Sequence, residues 1–148
     1  MFLGELHCTA DSRGDLVLPE ELRTALSAGL TLTRGLERCL VIYPAEAWQQ
    51  LAEKIHARLQ LTRAGDRALA RLLFSGAVNC APDAEGRIPL PDALRRYAGI
   101  EGDTVIVGVY SHLELWDARR WAEVTAHMEA QAAAAAIDAP YPLVCMSR

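Results

Sequence analysis

Apolar positions fall in short clusters along the first half of the chain, and the same succession of clusters returns in the second half. Leu3 to Thr9 predicts a short strand, followed by the polar turn Asp11-Ser12-Arg13-Gly14 and a second strand at Leu16-Val17-Leu18. Pro19 stops that strand, because proline cannot donate to a ladder and suits the opening turn of a helix. Leu22, Ala25 and Leu26 then make the stripe of a short helix over Glu20 to Leu26, ended at Ala28-Gly29. Leu30 to Thr33 and Cys39 to Tyr43 read as strands about a turn at Arg34-Gly35. After Pro44 the pattern becomes helical, with Trp48, Leu51, Ala52, Ile55 and Leu59 on one face. A further helix is expected from about Thr62 to Phe74, its Leu69, Leu72 and Leu73 inward and Arg63, Arg67 and Arg71 forming a solvated row.

The plan then starts again. Ala77 to Cys80 predicts a strand, Pro82 to Gly86 a turn, Ile88 to Leu90 a strand stopped by Pro91, and Asp92 to Tyr97 a short helix ended near Gly99. Gly102-Asp103 leads into Thr104 to Val109, whose β-branched richness marks a strand, with His112 to Trp116 as its hairpin partner. Asp117 caps a helix carrying Trp121, Val124 and Met128, and the Ala132–Ala136 run continues it until Pro140 and Pro142. The residues beyond are expected to form a tail.

Aligning the two halves turns this likeness into a register. Asp11-Ser12-Arg13-Gly14-Asp15-Leu16-Val17-Leu18-Pro19 stands 72 positions before Asp83-Ala84-Glu85-Gly86-Arg87-Ile88-Pro89-Leu90-Pro91. The same offset joins Gly4 to Gly76, Cys8 to Cys80, Leu22 to Leu94 and Arg23 to Arg95. After one inserted residue it becomes 73, joining Leu40 to Leu113, Tyr43 to Trp116 and Trp48 to Trp121. Two units are too few for a solenoid, and strands this short cannot close a core within one half. The expectation is an α+β fold with a mainly β core, two interleaved halves forming a small barrel or sandwich with peripheral helices. The halves are placed at 1–60 and 76–130, joined by a linking helix at 61–75, with the helix end and tail at 131–148.

Composition narrows the function. Half of the 148 residues are apolar, enough for a real core. No stretch matches a membrane span, and Met1-Phe2-Leu3-Gly4-Glu5 does not look like a secretory signal, so a cytoplasmic protein is expected. The net charge of −4 argues against a generic nucleic-acid binder, but residues 1–100 are balanced and the acidic excess lies wholly in 101–148. An anion-binding surface would therefore be a local patch. Fourteen of the fifteen basic residues are arginine, which favours bidentate pairing with carboxylate or phosphate.

Enzyme signatures are missing: no GxSxG, Walker-type GxxxxGK[ST], GxGxxG or HExxH occurs. Cys8, Cys39, Cys80 and Cys145 have no metal-ligand spacing and read as reduced thiols, and His7, His56, His112 and His127 share no register. No cofactor, metal or small-molecule substrate is expected. Asp11 and Asp83 would be the paired acids of a small hydrolase, but heading tight turns already accounts for them. The informative residues are the turn arginines. Asp83 and Arg87 flank the Gly86 turn and are expected to pair across it, making a rigid arginine-tipped loop able to meet a phosphate or a guanine edge. A ligand-free structural salt bridge remains the alternative on chemistry alone.

These motifs resemble the MraZ family, within the SpoVT/AbrB-type swapped-hairpin proteins. The resemblance runs from Met1-Phe2-Leu3-Gly4 to the helix after Trp121. It rests on Leu32-Thr33-Arg34-Gly35-Leu36, Phe74-Ser75-Gly76-Ala77, Gly86-Arg87-Ile88-Pro89-Leu90-Pro91, Tyr97-Ala98-Gly99 and Leu115-Trp116-Asp117. It implies two AbrB-like halves, a ring-shaped homo-oligomer, and a nucleoid-associated repressor binding double-stranded promoter DNA of the division and cell-wall gene cluster. The family's DNA-binding motif, DxxxR, carries over to Asp83 and Arg87. In the first half Asp11 matches, but Asp15 stands where the family has arginine. Arg13, on the same turn, is the candidate compensating cation, and Gly14 and Gly86 shape the two turns. An oligomeric scaffold with weakened or lost DNA binding is the competing expectation.

Overall fold

A computed structural model describes residues 1–140; the predicted tail beyond Pro140, with Pro142 and Cys145, lies outside the described residues. The chain runs β1 (Glu5–Thr9), β2 (Leu16–Val17), α1 (Glu20–Ala25), β3 (Leu30–Arg34), a 3-10 turn (Leu36–Arg38), β4 (Leu40–Pro44), α2 (Ala45–Arg58) and α3 (Ala64–Ser75). It continues with β5 (Val78–Cys80), β6 (Arg87–Ile88), α4 (Asp92–Ala98), β7 (Asp103–Gly108), β8 (Leu113–Asp117) and α5 (Ala118–Ile137). Residues up to Asp117 form one unit and α5 belongs to a second. This is a mixed α+β fold built on antiparallel sheets.

The pairing shows how the halves are joined. One sheet has the order β1-β7-β8-β4-β3-β5, and β2 pairs with β6 in a separate two-stranded ribbon. Exchanging each strand for its repeat equivalent leaves both orders unchanged, so the unit has a pseudo-twofold axis. Two registers locate it: Val41 faces Glu114 in the β4–β8 pair, and Leu16 faces Ile88 in the ribbon. Each is a pair of repeat-equivalent positions. Neither half pairs its own outer strands; β1 adds to the second half's β7, and β5 to the first half's β3. The expectation that short strands force interleaving is met in this detail. The ribbon strands are shorter than predicted, with Leu18 and Leu90 lying beyond the ladder.

The core lies between one face of the six-stranded sheet and the ribbon with its following helices. Leu16, Leu18, Ile88 and Leu90 meet Leu22, Leu26, Leu94 and Ala98 from α1 and α4, over Leu30, Leu32, Leu40, Ile42, Ile106, Leu113 and Leu115. Each large side chain removed from water there contributes about 1.5–3 kcal/mol before entropic costs. Buried polar groups are paired: the Thr31 hydroxyl donates to Asn79 Oδ1 (2.6 Å), Thr33 to Leu73 O (2.5 Å) and Thr104 to Cys8 O (2.9 Å).

On the opposite sheet face, α2 and α3 pack through rings, with Trp48 against Tyr43 (5.8 Å between centroids) and against Phe74 (6.0 Å). Arg34 closes the C-terminal end of α3, its Nε donating to Leu72 O (2.9 Å) and its Nη2 to Arg71 O (3.1 Å). In the predicted arginine row, Arg63 precedes the helix, Arg67 donates to Leu61 O (2.9 Å), and Arg71 is exposed. Burial and the neighbouring Glu114 carboxylate push the Cys39 thiol up to about 12, so it stays protonated at neutral pH.

Candidate nucleic-acid interface

The antiparallel ribbon β2–β6 sets the two Gly turns, one before each strand, on either side of the pseudo-twofold axis. Each is built alike. Asp11 Oδ1 accepts the N–H groups of Arg13 (2.9 Å) and Asp15 (3.0 Å), while Asp83 Oδ1 accepts those of Glu85 (3.0 Å) and Arg87 (2.8 Å). The backbone closes each turn, with Gly14 N–H on Asp11 O (2.9 Å) and Gly86 N–H on Asp83 O (3.0 Å). An aspartate bracing two N–H groups fixes a turn without a ligand, so the tips are pre-shaped.

The arginine goes elsewhere than expected. Arg87 was predicted to pair with Asp83 across its own turn; instead its Nε donates to Asp11 Oδ2 at 3.0 Å. The reason is geometric. Asp83 is already turned inward onto backbone N–H groups, and the antiparallel ribbon sets Arg87 opposite Val17, bringing its guanidinium to the neighbouring turn. One turn is thus locked to the other across the axis. The equivalent contact would join residue 15 to Asp83, but residue 15 is an aspartate and has no guanidinium to donate. Glu85 approaches Arg87 Nη1 at 3.8 Å, and Arg13 is exposed at the tip of its turn.

These contacts set the proton affinities. Burial pushes the Asp11 carboxyl up, but the Asp15 N–H, the Arg87 guanidinium and the Arg13 N–H outweigh it and hold the group below its ordinary value. Asp83 is also held low, first by the Arg87 N–H, against burial, and further by the Glu85 N–H and the Arg87 charge. A carboxylate with a depressed folded pKa stabilises the fold above its unfolded pKa, and that contribution fades as pH falls through the folded value. Stability is therefore expected to be flat above about pH 5 and to decline through about pH 4 and below. Urea denaturation across pH checks this. Asp83→Asn, whose amide oxygen still accepts both N–H groups, should weaken the acid dependence while leaving neutral-pH stability close to the parent's.

Gly14 and Gly86 have φ of +83° and +80°, in the left-handed region where a side chain is strained. A Cβ would also displace a neighbour: on Gly14 it would press into the Arg95 guanidinium, and on Gly86 into that of Arg23, so those side chains would have to shift. Gly86→Ala should cost about 1–3 kcal/mol from the backbone conformation alone. Thermal melting reads this directly, and an unchanged Tm would mean the turn is not built as described.

Arg23 and Arg95 are the residues that sequence reasoning passed over. Their matched places in the repeat were visible, but each lies on the turn glycine of the other half, a contact no linear spacing announces. Arg23 Nε also donates to Leu18 O (3.0 Å), while Arg95 Nη2 donates to Asp92 Oδ1 (2.8 Å). Four arginines therefore surround the turn pair, interspersed with Asp11, Asp15, Asp83, Glu85 and Asp92, so one chain presents directed donors rather than a strong positive field. Among the described residues no group of His, Cys, Asp and Glu could hold a metal ion, and no helix is long and apolar enough to cross a membrane.

The family model of the MraZ protein, antitoxin-like, matches twice, over residues 1–72 and 73–139. The chain is 42% identical to the transcriptional regulator MraZ of Moorella thermoacetica, over 83% of this chain and 85% of the relative. It is 43% identical to the protein of that name from Desulfitobacterium hafniense, over 92% and 94%, and 44% identical to that of Herpetosiphon aurantiacus, over 84% and 86%. The duplicated matches fall on the two halves that the strand exchange and crossed turns define. This chain belongs to the MraZ family and carries two MraZ domains.

Proposed function

We propose that the chain is a DNA-binding transcriptional regulator whose paired turns grip double-stranded promoter DNA. The observation that carries this reading is the crossed turn pair: two braced Gly turns, locked by Arg87 to Asp11, carry arginines at their edges. Rigid donors at fixed spacing meet phosphates and base edges with little ordering cost. The relatives' shared name, transcriptional regulator MraZ, supports the same reading. On it, the halves are swapped-hairpin β-barrel halves of the SpoVT/AbrB kind, and the protein works in the cytoplasm on the nucleoid. The turns use Arg13 and Arg87 as donors, Asp11 and Asp83 as braces, and Gly14 and Gly86 as pivots.

The proposed action is repression of the division and cell-wall gene cluster by a ring-shaped homo-oligomer on repeated promoter elements. Local charge favours assembly: with carboxylates interspersed among the arginines, a single chain has little net field, and linked copies gain affinity through effective concentration. Titrating duplexes that carry one, two or three copies of a promoter element tests this. Affinity should climb at least tenfold from one copy to two; equal affinity for all three would refute the repeated-element grip.

Asp15 motivates the second reading, an oligomeric scaffold without DNA binding, since a carboxylate there repels phosphate where the family has arginine. Absence of any duplex binding by the assembled protein at low salt would favour it.

A further inference from the structure

On the reading that the turns grip DNA, we propose that the two pseudo-symmetric sites are unequal. DNA phosphate is held chiefly at one composite site, made of the 83–87 turn of the second half and Arg23 of the first.

Arg23 is stitched to that turn. Its guanidinium lies against Gly86, its Nε donates to Leu18 O (3.0 Å), and the Leu18 N–H donates to Gly86 O (2.8 Å). It takes part in none of the ion pairs among the described residues, and its terminal nitrogens make no hydrogen bond there. A guanidinium held by its Nε against Gly86, with the rest of its fork unsatisfied, is arranged to receive a phosphate. The partly covered side chain has also already given up much of its conformational freedom.

The mate across the axis has lost this chemistry twice. Arg95 lies against Gly14 in the corresponding place, but its Nη2 is bound to Asp92 at 2.8 Å, and Asp92 also approaches Arg96 at 3.8 Å. Glu20 holds the repeat position of Asp92 and makes no such pair with Arg23. The 11–15 turn also has Asp15 where the other turn has Arg87. A phosphate approaching the first turn meets an Arg95 whose Nη2 is already shared with Asp92, and a further carboxylate at Asp15. At the second turn it meets an Arg23 that no carboxylate pairs among the described residues, with Glu85 on the same turn and the Arg87 guanidinium shared between Asp11 and Glu85.

The test is a fluorescence-anisotropy titration of the full chain and of Arg23→Ala, Arg23→Lys and Arg95→Ala. Each is measured on a duplex from upstream of the protein's own gene and on a scrambled duplex, over a KCl series, with thermal melting and oligomer mass recorded. Arg23→Ala should weaken both duplexes about tenfold and flatten the slope of log K against log[KCl] by about one per lost phosphate contact. Arg23→Lys should recover most of that slope, and Arg95→Ala should stay within about twofold of the parent. Equal losses for Arg23→Ala and Arg95→Ala overturn the inequality. A loss at Arg23→Ala with an unchanged slope and a lowered Tm also overturns it, making Arg23 a latch between halves. If the parent binds selectively and Arg23→Ala matches it, this inference alone falls. If the parent binds neither duplex, the DNA-binding reading falls first and takes this one with it.

Discussion

Arg87→Ala is expected to remove selective promoter binding, lowering affinity by about a hundredfold or more, while the fold survives. A good arginine contact to a base edge or phosphate is worth about 1–3 kcal/mol, and the loss recurs in every copy that touches the duplex. The substitution also leaves the Asp11 Oδ2 oxygen without its guanidinium at the surface where phosphates approach. Stability should change little. The pair is partly solvent-exposed, with the Arg87 side chain at 36%, and exposed pairs contribute about 0–1 kcal/mol. Both turns also keep their aspartate braces. Gel-shift titration beside thermal melting separates the two effects. Wild-type affinity in the mutant would show that Arg87 serves only to tie the turns together.

Asp15→Arg is the converse experiment and the second large effect. Residue 15 is the repeat equivalent of Arg87, and the crossed geometry sends the side chain of that position toward the opposite turn's aspartate. An arginine there should pair with Asp83 as Arg87 pairs with Asp11, adding an ion pair and a second forked donor. DNA affinity is expected to rise about tenfold, with a steeper salt dependence, since a repulsive charge is removed and an attractive one supplied. If the parent binds no DNA and the variant does, the scaffold reading is correct for the natural chain. If the variant binds no better than the parent, residue 15 does not share the role of Arg87.

The architecture was legible in the sequence to an unusual depth because it is written twice. Short strands at Leu16 and Ile88, too brief to close a half alone, already required interleaving, and the observed strand exchange follows from that shortage. The turns were legible too, since Asp11 with Gly14 and Asp83 with Gly86 carry their own local chemistry. What did not follow was which half an arginine reaches. The Asp83–Arg87 spacing suggested a pairing within one turn, and only the ribbon register across the axis redirects Arg87 to Asp11. The packing of Arg23 on Gly86 and of Arg95 on Gly14 was hidden for the same reason. Repeat spacing reports what is equivalent, whereas contact across a pseudo-twofold axis depends on how the two copies are folded together.

The central claim is that braced, arginine-edged turns hold promoter DNA by its phosphates and read it selectively. A salt series with the unmodified chain tests this most directly, comparing the duplex upstream of its own gene with a scrambled duplex of equal length. The account predicts tighter binding to the promoter duplex at every salt concentration, with log K falling linearly against log[salt] on both. Equal affinity for the two duplexes, or no binding to either at low salt, would contradict it.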